Sequence, residues 1–236
     1  ARGALARQNQ IVAELEAASR IMLSLFPATL DVDPRIEIGA VSRPSSEVGG
    51  DYYDAVMVDE DRCLFVISDA MGHGLPAAIL MANFQAAFRA AQRSCADVTA
   101  IHTVVAQLLE QNAQRNPAGG TFVSGIMGTV DLQDGRGEFI IAGHPSPLFV
   151  RDGRVICVSS KFRTFAWGMA LDENPRRFET TLEREQDVLF LYTDGATDAR
   201  NAEDELLGID RFLDFVGQAP VGPLQDSVET LASRIA

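Results

Sequence analysis

Residues 52–58 and 63–68 are two strand-length apolar runs joined by the polar turn Asp59-Glu60-Asp61-Arg62. Together they predict an antiparallel hairpin early in the chain. An aspartate stands at each open end, Asp51 after Gly49-Gly50 and Asp69 before Ala70-Met71-Gly72-His73-Gly74. In a hairpin folded about residue 60, position 51 falls across from position 69. Like charges set directly opposite one another destabilise a ladder. A bound cation, a neighbouring Arg or Lys, or one neutral carboxyl must offset that repulsion.

Patterning on either side gives the organisation. Residues 4–26 read as a helix with Leu5, Val12, Leu15, Met22 and Phe26 near a seven-residue repeat. That seam fits the end of a coiled coil or one amphipathic helix lying on the domain. A strand is expected at 35–42. Residues 76–93, with Pro76 in the first turn and an Ala-rich body, are the clearest helix, and a second covers about 97–114. After Asn116-Pro117-Ala118-Gly119-Gly120 the period changes to strands, 122–132 and 137–142 around Gln133-Asp134-Gly135-Arg136, then 147–151 and 154–160 around Asp152-Gly153. Two more strands are expected at about 176–183 and 187–193, and helices at about 204–217 and 223–235. This is not the alternation of a parallel doubly wound fold. It predicts an α+β domain of sheets covered by helices.

Charge narrows the function classes. With 33 acidic and 20 basic residues the formal net charge is −13, which argues against a general nucleic-acid binder. No apolar run reaches the length of a membrane span, and no secretory h-region opens the sequence. Cys63, Cys95 and Cys157 are odd in number and far apart, which fits small core residues in a reducing cytoplasm. His73, His102 and His144 lack the paired spacing of a zinc motif.

Three aspartates share one context, each at a strand end beside Gly or small residues: Asp51 in VGGDYYD, Asp69 in VISDAMGHG and Asp194 in LYTDG. Small neighbours let carbonyls and water approach, and such oxygen donors suit magnesium or manganese rather than zinc or copper. The stretches RPSSEVGGDYYD, ISDAMGHGLPAAILMA, TFVSGIMGTVD, AGHPSPLFV, WGMAL and LYTDGATDARNAEDELLGIDRF occur in this order over about residues 20 to 215. In them the chain resembles the metal-dependent protein phosphatase (PPM) family, in its bacterial SpoIIE/RsbU-type branch.

The resemblance implies a four-layer α-β-β-α sandwich, two packed and mainly antiparallel sheets flanked by helices. It implies a serine/threonine phosphatase with two Mn2+ or Mg2+ ions, in which a metal-bridging water, not a side chain, is the nucleophile. Carried over by motif, Asp69 bridges the ions, the Ala70 carbonyl binds one, Asp194 binds the other, and Asp51 holds the cluster directly or through water. His73 in GHG is a candidate substrate contact, and His144 in AGHPSP reads as a structural turn. Asp198 reads as a solvated acid and Trp167 as a packing residue. By the same resemblance, residues 27–236 form the phosphatase domain, and residues 1–26 link it to an upstream sensor or receiver domain or pair it in a homodimer. The substrate implied is a phosphorylated anti-anti-sigma (STAS) protein, in the cytoplasm. The family pattern closes with a strand opening on Asp-Asp-(apolar)-Thr, which supplies another metal-binding aspartate. This sequence stops at SVETLASRIA before such a motif, so either it ends short of that strand or the ligand is missing. A phosphatase-like adaptor that binds a regulatory partner with weak catalysis is the alternative.

Overall fold

A computed structural model describes residues 2–44, 48–115, 121–151, 153–172, 174–183, 187–219 and 222–235. The break at 116–120 and Asp152 of the 152–153 turn lie outside the described residues. The chain opens with α1 (Arg2–Leu23), and the hairpin follows as β1 (Asp51–Met57) and β2 (Arg62–Ala70). Its register pairs Asp51 with Asp69 and Met57 with Cys63, as the turn position requires. Next come α2 (Gly74–Ser94) and α3 (Val98–Gln114), the latter capped by the Asp97 carboxylate accepting from the Ala100 N–H at 2.8 Å. Then follow β3 (Val123–Asp131), β4 (Arg136–Ala142), β5 (Leu148–Arg151), β6 (Arg154–Cys157), β7 (Arg163–Thr164), β8 (Arg177–Thr181) and β9 (Asp187–Phe190). Helices α4 (Gly208–Gly217) and α5 (Leu224–Ile235) come last.

The strands form two sheets. The larger has the order β1-β2-β3-β4-β7, with β8 also pairing β4, and only the β4–β7 contact is parallel. The smaller is β6-β5-β9, wholly antiparallel. Side-chain alternation along β2 sorts the layers. Leu64 and Val66 enter a cluster with Phe84, Phe88, Ile101 and Val105 of α2 and α3. Phe65 and Ile67 point the other way, into a cluster with Ile126, Ile141, Phe149 and Phe178 between the sheets. The outer face of the small sheet packs Leu148, Phe190 and Tyr192 against Phe212, Val216 and Leu231 of α4 and α5. Four layers result, in the order α-β-β-α.

Two expectations change. The strand expected at 35–42 joins no sheet. Its polar groups turn to α5 instead: the Ala40 N–H donates to the Gln225 side chain, which donates back to the Ala40 carbonyl, and the Glu37 carboxylate accepts from the Leu224 N–H at 2.6 Å. Ile36 and Ile38 still pack on the apolar cluster at that end of the sandwich, so the hydrophobic pattern was real and the ladder was not. Among the cysteines only Cys63 is buried, Cys95 is half-buried and Cys157 lies exposed on β6, an edge strand of the small sheet. Among the described residues no helix is long and apolar enough to cross a membrane.

The α1 seam also divides. Met22 packs on the main core, as does Phe26 just past the helix, whereas Ile11, Val12, Ile21 and Leu23 remain exposed. The phenyl ring of Phe26 sits 5.7 Å from Tyr52 and 5.1 Å from Tyr53, which fixes the end of α1 on β1.

Beneath that contact a buried charge ties β1 to α2. Asp54 is 2% exposed and receives the Tyr52 hydroxyl at 2.5 Å and the Arg89 guanidinium at 2.6 and 2.9 Å. Burial raises the Asp54 pKa, and Tyr52 and Arg89 oppose it. Arg89→Met should cost about 3 kcal/mol in urea denaturation, because it leaves a buried carboxylate without its cation. A loss below about 1 kcal/mol would mean that the pair does not hold this face together.

Candidate metal centre

Asp51 opens β1 and Asp69 is the penultimate residue of β2, so both stand at one end of the large sheet. By the alternation of β2, Asp69 shares the inter-sheet face with Phe65 and Ile67, and Asp51 lies directly across from it. The third carboxylate comes from the other sheet. Strand β9 stops at Phe190, earlier than expected, and the chain leaves the ladder through Tyr192 and Thr193 into a 3-10 turn at Asp194–Ala196. That exit carries Asp194 to the open edge beside the hairpin aspartates.

The three interact in pairs. The Thr193 hydroxyl donates to Asp51 at 3.5 Å. Burial pushes the Asp51 pKa up to about 6, against the Thr193 hydrogen bond and with help from the Asp194 charge. Asp69 is pushed up to about 7, first by burial, then by the charges of Asp51 and Asp194 and by hydrogen-bond contact with Asp194. Among the described residues no Arg or Lys forms an ion pair with any of them. Among the described residues no three His, Cys, Asp or Glu side chains are gathered closely enough to hold a metal ion, so Asp51, Asp69 and Asp194 are charged neighbours at one end of the sandwich rather than a formed ligand set.

Of the three ways to relieve the hairpin repulsion, a basic side chain is therefore not used. A shared proton or a cation remains. The donors are carboxylate oxygens with the Ala70 carbonyl beside them, a set that fits a hard divalent ion. A Cβ at Gly50 would stand 2.8 Å from the Ala70 oxygen, so a side chain there would press on that carbonyl.

His73 is exposed and occupies the N-cap position of α2 without a side-chain cap. Gly72 and Gly74 beside it have φ of 94° and 67°, a left-handed backbone that suits glycine. His144 is placed differently. It is 1% exposed, its Nδ1 lies 2.8 Å from the Ser124 hydroxyl, and burial lowers its pKa to about 4. Ser124 is the ladder partner of Asp69, and the backbone of Tyr192 also bears on the His144 ring. His144 thus braces the two sheets behind the aspartates. Trp167 is buried and donates to His102 Nδ1 at 2.9 Å, a packing role. Asp198 is exposed, and its N–H donates to the Asp194 carbonyl.

Sequence reasoning missed Ser124 and Thr193. Thr193 had a signal, its place directly before Asp194 in LYTDG. Ser124 had none, because two helices separate β2 from β3 and no turn reveals their register. On the hairpin side, a cavity of about 150 Å³ lined by Met22, Phe26, Val48, Tyr53 and Met81 reaches Asp51.

The family described as Stage II sporulation protein E (SpoIIE) matches residues 59–236. Phosphoserine phosphatase RsbU of Bacillus subtilis (strain 168) is 24% identical over 194 residues, covering 82% of this chain and 56% of that protein. The chain spans about half the length of the curated relatives it matches. Among solved structures, the SiaA-PP2C domain of Pseudomonas aeruginosa has a TM-score of 0.81 at 24% identity, over 98% of this chain and 91% of that one. RsbX, solved in complex with magnesium, has a TM-score of 0.55 at 10% identity, over 82% and 83% of the two chains. The matched segment is well over half of the chain, which therefore belongs to the SpoIIE family and carries its PP2C-type fold.

Proposed function

We propose that this chain is the output domain of a bacterial signalling protein and hydrolyses phosphoserine or phosphothreonine on a regulatory protein. Asp51, Asp69, the Ala70 carbonyl and Asp194 would hold two Mn2+ or Mg2+ ions. One observation carries the reading: the ladder pair Asp51 and Asp69 feels the charge of Asp194 from beyond the second sheet, without a basic ion-pair partner among the described residues, in a SpoIIE-family fold. When bound there, such ions supply charge neutralisation, polarise phosphoryl oxygens and lower the pKa of water toward neutrality. The residues of the chain do the positioning. Asp69 interacts with both Asp51 and Asp194, the Thr193 hydroxyl bonds Asp51, and Ser124, the ladder partner of Asp69, bonds His144 behind it. His73, exposed at the N-cap of α2, is the candidate substrate contact, and a helix N-terminus favours a phosphate.

A protein substrate of the anti-anti-sigma (STAS) type is supported by the likeness to the phosphoserine phosphatase RsbU. Helix α1 would link the domain to an upstream sensor or receiver and, through its exposed Ile11 and Val12 face, pair two copies in the cytoplasm.

Excess manganese should raise the thermal midpoint over that in EDTA by about 5–10 °C, since a ligand at about 100 times its Kd adds about 2.7 kcal/mol. An unchanged midpoint in calorimetry would count against the metal site. In EDTA the aspartates should also reveal themselves by pH. Their folded pKa values of about 6 and about 7 lie above the unfolded value near 3.9, so the folded chain holds their protons more tightly. Their stabilisation is full below about pH 4 and is lost as pH rises to about 7. Asp69→Asn should then stabilise the metal-free protein at pH 8 by about 1–2 kcal/mol after allowance for solvent screening, the gain shrinking toward pH 4.

Activity separates enzyme from adaptor. With manganese and a phosphoserine protein, Asp69→Asn should lower turnover by orders of magnitude while circular dichroism stays native. Asp198→Asn should change it little. An inactive parent whose partner binding survives Asp69→Asn would establish the adaptor instead. For the helix, Leu15→Asp should convert a dimer to a monomer in light scattering, because a charge in a buried seam is costly. A parent that is monomeric at the outset would remove that idea.

A further inference from the structure

The chain is strongly acidic, yet one corner is not. Residues 160–165 follow the β4 edge of the large sheet, where Arg163 pairs with Ile141 and Thr164 with Ala142. Here Ser160–Phe162 is a 3-10 turn and only Arg163–Thr164 runs as a strand; Lys161, Arg163 and Phe165 are exposed, while Phe162 and Thr164 are half-buried. Phe162 packs in the inter-sheet cluster and so anchors the turn that carries Lys161 and Arg163. Arg176 is brought alongside from the return of the loop, its guanidinium donating to the Lys161 carbonyl at 2.6 Å.

None of Lys161, Arg163 and Arg176 has a carboxylate partner among the described residues. Asp172, on the same segment, is taken by the Thr164 hydroxyl and the Asn174 N–H. Arg177 next door is spent on Glu138 at 3.4 Å. Two large apolar side chains complete the face, Phe165 at 58% and Met169 at 59% exposure.

The position of this face matters. Beyond Phe165 the segment reaches Trp167, which pairs with Val123, the ladder partner of Ala70. The cationic face therefore ends level with the aspartates along the strand direction, on the opposite side of the sheet, with β3 and β4 between it and β2. Arg163 is close enough to His144 to oppose its protonation.

We propose that the Lys161–Arg163–Phe165 face, with Arg176 and Met169, docks an acidic and apolar segment flanking the phosphoserine of the partner protein. The proposal rests on the phosphatase reading for its partner and on charge complementarity for its chemistry. A chain of net charge −13 repels an acidic partner at long range, and a local group of cations without carboxylate partners among the described residues selects the side from which one can approach. The exposed aromatic and methionine supply the apolar contact that orients it.

Two synthetic phosphoserine peptides of equal length test this, one flanked by Glu and Leu and the other by Lys and Leu. Each is followed for hydrolysis with manganese and, separately, for binding to EDTA-treated protein by fluorescence anisotropy. The native chain should prefer the Glu-flanked peptide by about tenfold at low salt, equivalent to about 1.4 kcal/mol, with the preference falling as salt rises. Arg163→Glu should abolish or reverse that ratio, and Lys161→Gln with Arg163→Gln should reduce it in part. Equal treatment of the two peptides by the native chain, or an unchanged ratio in both variants, would overturn the docking face. If neither peptide is hydrolysed but the binding preference follows the variants, the docking face stands and the phosphatase reading falls. Absence of both hydrolysis and preferential binding removes the docking face as well.

Discussion

Asp51 and Asp69 oppose each other because an antiparallel ladder with a turn at residue 60 leaves no other register. A third carboxylate then arrives from the second sheet, and no described basic side chain answers the three. A sequence optimised only for stability would not keep this arrangement. Much of the surrounding structure serves to hold it. The inter-sheet cluster sets how far β9 stands from β2, the early end of β9 frees Asp194, and the Ser124–His144 contact closes the gap behind.

The helices work at one remove. On one side, α2 and α3 bury the far face of the hairpin through Phe84, Phe88, Ile101 and Val105, and Arg89 reaches across to Asp54. That bond fixes the strand three residues beyond Asp51, so the charge at the open edge rests on a strand clamped from below. Helices α4 and α5 do the same for the small sheet, and through Gln225 and Glu37 they also satisfy the stretch 37–40. Polar capture of that stretch by a helix spares the sandwich another exposed strand edge.

Much of this was legible from residues because it depends on local rules. Turn position set the hairpin register, and periodicity set α2 and α3 to within a few residues. What was not legible depends on partners distant in the chain. Residues 35–42 have strand-like alternation, but their backbone groups find partners on α5, as at Ala40 with Gln225, and not in a ladder. Ser124 faces Asp69 through a register set by packing rather than by a turn. His144 looked like part of a turn and proved to be a buried brace, because burial is a property of the second sheet above it. For the same reason Cys157, apolar in pattern, lies exposed on an edge.

The carboxylates belong to two different sheets, and the side chains between those sheets act as a spacer. Sheets packed face to face stand about 10 Å apart, and that distance follows from the volumes of the residues in the gap. Ile67, Ile126, Phe149 and Phe178 are such residues here. The reach between Asp69 and Asp194 is accordingly written in apolar volume between the sheets. The spacing of the carboxylates in this architecture can therefore drift through conservative exchanges such as Ile for Val in the sandwich interior, with every acidic residue left as it is.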